Sequence, residues 1–444
     1  MLIAQFSDLH YATNTLPEVD RCFGYAIDRA IEANVDAAVI SGDATDHALE
    51  LHTPAVEALA RRVQQLAEHC PVLLLQGTYS HEPPRTLDIF RRLAGKHPIY
   101  VADRIQQVAL TKDRRWLDSG GWRFDRLPEN TRAVFSCLPA VNKADVAAAV
   151  GATAAAEAVG QSIAVLLGAW GVVNRQARLA GIATIGVSHG TVSGCVTEHG
   201  VPMAGLDHEF TATALFSAET SAFLLGHIHK HQFWREGARL VAYPGSIGRL
   251  HYGEEGDKGF ILWSIGAIGA SLEFAPTPAR RMVHLDFAAK PDIDAIKAAA
   301  ANTRGAYVRV RWSVAEEEQG TVDRAAVLAA LAGAAEVKLE GRVIPVMRSR
   351  AEGISQAHNL GEKVRRWAEA TGVEVNGLLA RLERMEADDV DRIVREISLV
   401  DRGTSNGAQG QATQPDPDND RTAVAMIQLI QDGDKTLTTA AQND

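Results

Sequence analysis

The sequence has few cysteines and no excess of basic residues, and each absence excludes a class of protein. Its 444 residues include four cysteines. No two of them form a Cys-x-x-Cys pair, so neither a disulfide framework nor a zinc ribbon is expected. The formal net charge of −10 does not indicate a nucleic-acid-binding protein. A local basic surface or bound metal ions would nevertheless escape such a residue count.

No segment has the length that crossing a membrane requires. The longest apolar stretch, residues 163–173, contains two glycines and is too short to span a bilayer. The first ten residues lack the basic and apolar regions of a signal peptide. We therefore expect a cytoplasmic protein without a membrane partner. Its length allows two or three domains of ordinary size.

Five short segments carry residue types that bind metal ions, and each follows an apolar run that predicts a buried strand. In chain order they are Asp8-Leu9-His10, Gly42-Asp43, Gly77 to Glu82, His189-Gly190 and His227-Ile228-His229. Open α/β sheets bind ligands at the carboxyl ends of their strands, so these side chains are expected at one edge. His227 and His229 must lie on a turn, because in a regular strand they would point to opposite faces.

The donors in these segments are carboxylates and imidazoles, a set that suits Mn²⁺, Fe²⁺ or Zn²⁺. Two such ions held roughly 3.5–4 Å apart need a shared ligand. Asp43 is the natural bridge, because it stands alone after Gly42 and can offer both carboxylate oxygens. An ion pair of this kind activates water and neutralises a transferred phosphoryl group, which is the chemistry of phosphoester hydrolysis.

The pattern of elements divides the chain into several parts. Strands alternate with helices in the first 135 residues, which indicates an α/β fold built from βαβ units. The alanine-rich residues 140–180 predict two helices separated near Gly160. We predict the following parts: a first domain over 1–277, a small α+β domain over 282–350, a helical segment over 355–400 and a disordered tail over 401–444.

The five segments resemble those of the calcineurin-like metallophosphoesterase superfamily. Within it, the block from Tyr243-Pro-Gly-Ser to Glu254, followed by Lys258-Gly-Phe, is similar to the SbcD branch. That branch contains the nuclease subunits of double-strand-break repair complexes. The resemblance implies a two-layered β-sandwich flanked by helices, a small α+β domain that caps DNA, and C-terminal helices that bind an ATPase.

The resemblance also implies an enzyme, a metallophosphoesterase-type exo- and endodeoxyribonuclease. It would degrade duplex ends from 3′ to 5′ and cleave single strands and hairpins, as a homodimer with an SbcC-like SMC-type ATPase. Its cofactors would be two divalent ions, Mn²⁺ first, with Mg²⁺, Fe²⁺ or Zn²⁺ as alternatives. Two other functions stay open: a small-molecule phosphodiesterase or phosphatase of the same superfamily, and a non-catalytic scaffold.

Carried over position by position, the resemblance implies a role for each candidate residue. The first ion would take Asp8, His10, Asp43 and His229, and the second would take Asp43, Ser80, His189 and His227. His81 would be the acid that donates to, or stabilises, the leaving oxygen. Arg249, His251 and Arg85 are candidate contacts to the substrate.

The third segment departs from the superfamily pattern. Members of the superfamily have Gly-Asn-His followed by Asp or Glu, with the asparagine amide oxygen on the second ion. This chain has Gly77-Thr78-Tyr79-Ser80-His81-Glu82. A serine hydroxyl is a shorter and poorer ligand than an amide oxygen. Three occupants of that place stay open: Ser80 itself, a water molecule, or another group brought in by the longer turn.

Overall fold

The computed structural model describes residues 1–47, 52–140, 152–197, 209–254, 256–345 and 354–389, together with Arg392. Two β-sheets stack face to face, and helices cover both outer faces. The predicted α/β class, a two-layered sandwich flanked by helices, is therefore confirmed. Within the described ranges, no helix combines the length and the apolar character that a membrane span needs.

Six strands form the first sheet. In spatial order they are β15 (Ala270–Pro276), β14 (Gly259–Ile265), β1 (Leu2–Phe6), β2 (Ala37–Ile40), β3 (Val72–Leu75) and β4 (Ile99–Ala102). The strands β1 to β4 run parallel, whereas β14 is antiparallel to both of its neighbours. Two helices pack on the outer face, α1 (Leu16–Glu32) and α2 (Pro54–His69).

Seven strands form the second sheet. In spatial order they are β12 (Gln232–Glu236), β13 (Arg239–Tyr243), β11 (Ala222–Gly226), β8 (Ala183–His189), β7 (Thr131–Leu138), β5 (Gln106–Thr111) and β6 (Trp116–Asp118). The central strands β13, β11, β8 and β7 are parallel. Helices α3 (Ala152–Leu179) and α4 (Ala212–Ser217) cover this sheet. A two-stranded sheet, β9 (Thr191–Val192) with β10 (Glu209–Phe210), lies beside them.

The structure corrects the prediction of two helices separated near Gly160. Helix α3 is a single element of 28 residues that passes through Gly160. One glycine costs a helix only about 1 kcal/mol relative to alanine. The surrounding alanines have the highest helix propensity, and the carboxyl half of the helix is anchored in the core by Trp170. The glycine therefore does not end the helix.

A second core unit follows β15. It contains three parallel strands, β16 (Met282–Phe287), β17 (Tyr307–Ala315) and β18 (Glu336–Ile344), linked by α5 (Ile293–Thr303) and α6 (Arg324–Ala330). Buried apolar side chains from both layers, including Ile296, Val308 and Leu331, form a core of its own. The element order was predictable from the sequence, but the parallel direction of the strands was not.

Two further helices, α7 (Leu360–Thr371) and α8 (Asn376–Ala387), lie in the predicted helical segment. Short 3₁₀ helices occupy Thr86–Arg92, Glu316–Thr321 and Ile354–Gln356. Residues 393–400 of the predicted helical segment and the predicted disordered tail, 401–444, lie outside the described residues. The domain boundaries stay predictions.

A buried polar side chain links the two stacked sheets. Gln5 of β1 accepts a hydrogen bond of 2.8 Å from the Trp263 indole N–H and donates one of 2.9 Å to the Leu225 carbonyl of β11. The neighbouring Ile3 joins the apolar core between the sheets, whereas Phe6 joins the core beneath the helices. Residues 3–6 of β1 are thus buried on one side or the other, and Leu2 is half-buried, which is why the strand appears as an apolar run.

Replacing Gln5 by Leu should destabilise the sandwich by about 1–3 kcal/mol, because it leaves the buried Trp263 N–H without its acceptor. The free energy of unfolding, from urea titration of the metal-free protein, measures this cost. Gln5→Leu combined with Trp263→Phe is the control, since it removes both partners and should cost less than the sum of the single changes. Strictly additive costs would contradict the assigned bond.

Candidate metal centre

The carboxyl ends of five strands surround one cleft. In the first sheet β1, β2 and β3 end just before Asp8, Asp43 and Gly77, and in the second sheet β8 ends at His189 and β11 just before His227. The cleft has a volume of about 400 Å³. Its lining includes His10, Asp43, His81, His227, His229 and His251. The structure thus brings the five sequence segments together at one edge of the sandwich.

Several of these side chains are carried by backbone that only glycine adopts easily. The φ angles of Asp8, His10 and Asp43 are 50°, 49° and 51°, and that of His227 is 104°. A residue in such a conformation costs on the order of 1–3 kcal/mol and persists only where the surroundings enforce it. The segments that follow β1 and β2 continue side by side, because the His10 N–H donates to the Asp43 carbonyl at 3.0 Å and Tyr11 pairs in parallel with Thr45. His227 lies beyond the end of β11 at Gly226, which confirms that the His227 segment leaves the strand.

Two glycines and one carboxylate hold the turns of the first sheet together. A side chain at Gly42, whose φ is 101°, would overlap the His189 ring, and one at Gly77 would overlap Asp43. Glu82 is buried and accepts hydrogen bonds of 2.5 and 2.6 Å from backbone N–H groups of the two turns. Burial, reinforced by the charge of Asp43, raises the pKa of Glu82 to about 7.

The Asp43 carboxylate is the point where the candidate ligands converge. Its Oδ2 atom lies 3.2 Å from His189 Nε2 and 3.8 Å from His10 Nε2. Its Oδ1 atom accepts a hydrogen bond of 2.7 Å from the Thr78 N–H. The carboxylate therefore stands between ligands from both sheets, as a bridging ligand must.

Four groups of donor atoms in the described chain could hold a metal ion, and two of them consist of predicted ligands. One group contains Asp8, His10 and His229, and the other contains Asp43, His189 and His227; within each, the donor atoms lie within 4.8 Å of one another. His10 Nε2 and His229 Nε2 are 3.2 Å apart, a spacing that suits two ligands of one ion. Compared with the two ligand sets that the resemblance implies, the first group lacks Asp43, whose Oδ2 atom is 3.8 Å from His10 Nε2, and the second lacks Ser80.

His189 shows that the residues fit a bound cation. Its Nδ1 atom donates to the Ser41 carbonyl at 2.9 Å, so in the neutral ring Nε2 carries the lone pair. That Nε2 is buried and makes no hydrogen bond to the described part of the chain, although Asp43 Oδ2 is 3.2 Å away. A lone pair facing a carboxylate is repulsive unless a proton or a metal ion lies between them.

Protons compete with metal ions for this pair. Burial opposes the charged form of His189, but the Asp43 carboxylate outweighs it and raises the pKa of His189 from 6.5 to about 10. Burial likewise opposes the charge on Asp43, and the neighbouring His189 and His10 lower its pKa far below the usual value. In the metal-free protein the His189 charge stabilises the fold fully below pH 6.5, and this contribution is lost as the pH rises through about 10.

Mn²⁺ binding should therefore release a proton from His189 between pH 6.5 and about 10, with apparent affinity rising across that range. Calorimetry at pH 8 in buffers of different ionisation enthalpy counts the protons released. His189→Gln is the control, because it removes the titrating ring and should remove about one proton from the count. A wild-type count of zero at pH 8 would show that the pair is not protonated in the metal-free state.

A buried carboxylate that sequence reasoning missed orients His229. Glu254 Oε1 lies 2.9 Å from His229 Nδ1, and Oε2 lies 3.1 Å from the buried Lys258 Nζ. Burial opposes the charge on Glu254, but His229 and Lys258 lower its pKa to about 2. His229 thereby presents Nε2 to Asp8 Oδ1 at 3.8 Å. In the sequence, this contact could have been indicated by Glu254 at the end of the Pro-Gly-Ser block and by Lys258 just after it.

Replacing Glu254 by Gln should weaken Mn²⁺ binding at the Asp8 group by roughly 10–100-fold, because carboxylate partners fix and polarise metal-binding imidazoles. Calorimetric titration of the metal-free protein measures the dissociation constants. Glu273→Gln, which changes an exposed carboxylate of β15, is the matched control. Equal affinities in the two variants would remove Glu254 from the site.

His81 lies beside the metal-binding groups and has an acidic partner. Its Nδ1 atom is 2.8 Å from Asp46 Oδ1, and its ring centroid is 4.7 Å from that of His10. Burial lowers the pKa of His81 below its ordinary value, while Asp43 and Asp46 oppose that shift. Asp46 was not predicted, although its position three residues after Asp43 on the same turn was a usable signal. His47 also contacts Asp46, at 2.7 Å.

The third segment places Thr78, rather than Ser80, against the ligands. Thr78 Oγ1 lies 3.3 Å from Asp43 Oδ2. Ser80 is exposed on the following turn. Of the two hydroxyl residues in this segment, Thr78 therefore lies against Asp43, whereas Ser80 is exposed to solvent.

The three predicted substrate contacts have different positions. His251 lines the cleft, and its ring centroid is 6.4 Å from that of His229. The Arg249 guanidinium donates hydrogen bonds to backbone carbonyls, including those of Glu254 and Arg280 at 3.1 and 2.8 Å. Arg85 is exposed and pairs with Asp88 at 3.2 Å. Within the described chain, neither arginine belongs to the cleft lining.

Comparison with curated proteins gives one partial relative. The "Uncharacterized metallophosphoesterase YhaO" of Bacillus subtilis (strain 168) is 36% identical over 90 residues, which cover 20% of this chain and 21% of that protein. The match thus spans about a fifth of the relative's length. It supports the resemblance to the metallophosphoesterase superfamily and does not test the nuclease subtype. No family model matches the chain.

Solved structures with similarity to the chain have low sequence identity. "GAP50 the anchor in the inner membrane complex of Plasmodium" is 12% identical, covering 62% of this chain and 84% of that one, with a TM-score of 0.37. A dimetal phosphatase from Danio rerio is 10% identical, covering 62% and 99%, with a TM-score of 0.38. A predicted phosphoesterase from Streptococcus pneumoniae TIGR4 is 12% identical, covering 59% and 81%, with a TM-score of 0.22.

Proposed function

We propose that the protein is a metal-dependent phosphoesterase and that its substrate is DNA. The observation that carries the hydrolase proposal is the convergence of two groups of aspartate and histidine ligands on the shared Asp43, with His81 in the same cleft. Two bound divalent ions supply an activated water and neutralise charge on the phosphoryl group. Mn²⁺ suits this mixed oxygen and imidazole set, with Fe²⁺, Zn²⁺ or Mg²⁺ as alternatives.

The residues of the chain divide the remaining work. Glu254 and the Ser41 carbonyl fix the rings of His229 and His189, so that both present Nε2 to the site. His81 protonates the leaving oxygen, and Asp46 holds its Nδ1 atom and stabilises the protonated ring. The Asp46–His81 pair therefore keeps the acid oriented, and the two ligand groups would hold the ions that bind the phosphate.

Features of the chain beyond the metal centre support DNA as the substrate. The Pro-Gly-Ser block resembles that of SbcD nucleases and places His251 in the cleft. The same block contacts the small unit, because the Tyr252 hydroxyl donates to Glu336 of β18 at 2.8 Å. That unit carries Arg311 and Lys338 on neighbouring strands, paired with Asp286 at 2.6 Å and Glu340 at 2.8 Å, and half-exposed cations of this kind can exchange such partners for a phosphate backbone.

The proposal includes a partner and an assembly state. The nuclease acts in the cytoplasm as a homodimer with an SbcC-like SMC-type ATPase. Helices α7 and α8 lie against each other and leave Leu360, Trp367 and Met385 exposed, as is Val373 in the connection between them. Amphipathic helices with exposed apolar faces are suited to pack against a partner.

A small-molecule phosphodiesterase or phosphatase is the second candidate, and the cleft supports it in one respect. The described lining contains no arginine or lysine, and its volume is about 400 Å³, which lies in the range of small-ligand sites. A non-catalytic scaffold would have no need of the ligand groups and the oriented His81.

Incubating the purified protein and Mn²⁺ with end-labelled duplex DNA, and in parallel with bis-p-nitrophenyl phosphate, separates these candidates. A DNA nuclease shortens the duplex at protein concentrations far below those needed for the small ester. Turnover of the ester without cleavage of DNA would favour the second candidate. Absence of both activities would favour the scaffold.

Replacing His81 by Ala should lower the cleavage rate by roughly 10²–10⁴-fold, because it removes the general acid. Mn²⁺ stoichiometry distinguishes an acid from a ligand, because His81 also lies with His10 and Asp46 in a group of possible metal donors; for an acid it should not change. His47→Ala is the matched control: it removes an exposed ring that shares the same aspartate, and it should leave most of the activity. Full activity in His81→Ala would contradict the assigned role.

A further inference from the structure

The third segment lacks the asparagine of the superfamily pattern, and the structure places Thr78 beside Asp43. Thr78 directly follows the Gly77 that closes on Asp43. Its N–H donates to Asp43 Oδ1 at 2.7 Å, and its Oγ1 lies 3.3 Å from Asp43 Oδ2. It therefore contacts both oxygens of the bridging carboxylate, one through the backbone and one through the side chain.

We propose that the Thr78 hydroxyl, rather than Ser80, supplies the neutral oxygen ligand of the ion held by Asp43, His189 and His227. The inference rests on the proposed two-metal function and adds the donor that completes its second site. Three candidates were left open for this ligand position, and the proposal selects the third, another group that the longer turn brings in.

The position of the hydroxyl relative to His189 supports this assignment. Thr78 Oγ1 and His189 Nε2 approach the same atom, Asp43 Oδ2, at 3.3 and 3.2 Å. The hydroxyl hydrogen is directed to the carboxylate, which leaves the oxygen lone pairs for a cation. Hydroxyl oxygens are hard donors, and Ser or Thr hydroxyls bind Mg²⁺ in phosphate-binding loops.

The turn after Thr78 explains why Ser80 lies elsewhere. The Thr78 carbonyl accepts hydrogen bonds from the N–H groups of His81 and Glu82, at 2.9 and 2.7 Å. These bonds close a tight turn that returns Glu82 to the buried side and His81 to the cleft. Tyr79 and Ser80 occupy the tip of the turn, where Ser80 is exposed. The two residues by which this segment exceeds the superfamily pattern therefore lengthen only the turn. Thr78, which follows Gly77, lies beside Asp43.

Calorimetric titration of the metal-free full-length chain with Mn²⁺ tests the proposal in the wild type, Thr78→Val, Thr78→Ser and Ser80→Ala. Thr78→Val keeps the shape and removes the hydroxyl, so one of the two ions should bind at least roughly tenfold more weakly. Thr78→Ser keeps the hydroxyl and should stay near the wild type, as should Ser80→Ala. Melting temperatures of the metal-free variants show that each is folded.

The crystal structure of the Mn²⁺-loaded protein separates a ligand from a residue that only positions Asp43. A ligand Thr78 Oγ1 should lie about 2.0–2.4 Å from an ion, and Ser80 Oγ should lie farther away. An ion bound by Asp43, His189 and His227 with Thr78 Oγ1 beyond that distance would overturn the ligand assignment.

The remaining outcomes are also distinct. Normal binding by Thr78→Val overturns the proposal, and weak binding by Ser80→Ala would then return the assignment to Ser80. A wild type that binds fewer than two ions would overturn the two-metal function itself. Failure of the function and failure of the Thr78 assignment therefore give different results.

Discussion

The buried Asp43 carboxylate is the constraint on which the rest of the site depends. A buried anion is costly unless its surroundings compensate it. His189 and His10 approach one of its oxygens, and the Thr78 N–H binds the other. These groups come from both sheets of the sandwich, so the compensation exists only when the sheets are stacked. The same carboxylate therefore links the fold to the placement of the metal ligands.

The sandwich in turn stabilises backbone conformations that would otherwise not persist. Asp8, His10 and Asp43 all have positive φ, and each turn follows a strand that is buried on both sides. Glu82 ties the Asp43 turn to the Gly77 turn through backbone hydrogen bonds. The cost of the turns is thus offset by a core that extends up to the edge of the site.

Much of this arrangement was predictable because its signals are local. Apolar runs that end in Asp8, Asp43 or His189 indicate strands with ligands at their carboxyl ends, and the structure places them so. Signals that depend on three-dimensional closure were not predictable. Glu254 lies 25 residues along the chain from His229 and contacts it only in the folded structure. The parallel direction of β16, β17 and β18 follows from the helical connections between them, which the periodicity of each strand does not show. Linear spacing likewise does not show that Tyr79 and Ser80 form the tip of a turn, or that Thr78 contacts Asp43.

Anomalous diffraction from crystals grown with Mn²⁺ would test the central claim, a two-metal centre bridged by Asp43, most directly. Two peaks are expected in each chain, roughly 3.5–4 Å apart, with Asp43 between them. One should lie within the Asp8, His10 and His229 group, and the other beside His189 and His227. A single peak, or two peaks that do not share Asp43, would contradict the two-metal centre and the hydrolytic function proposed from it.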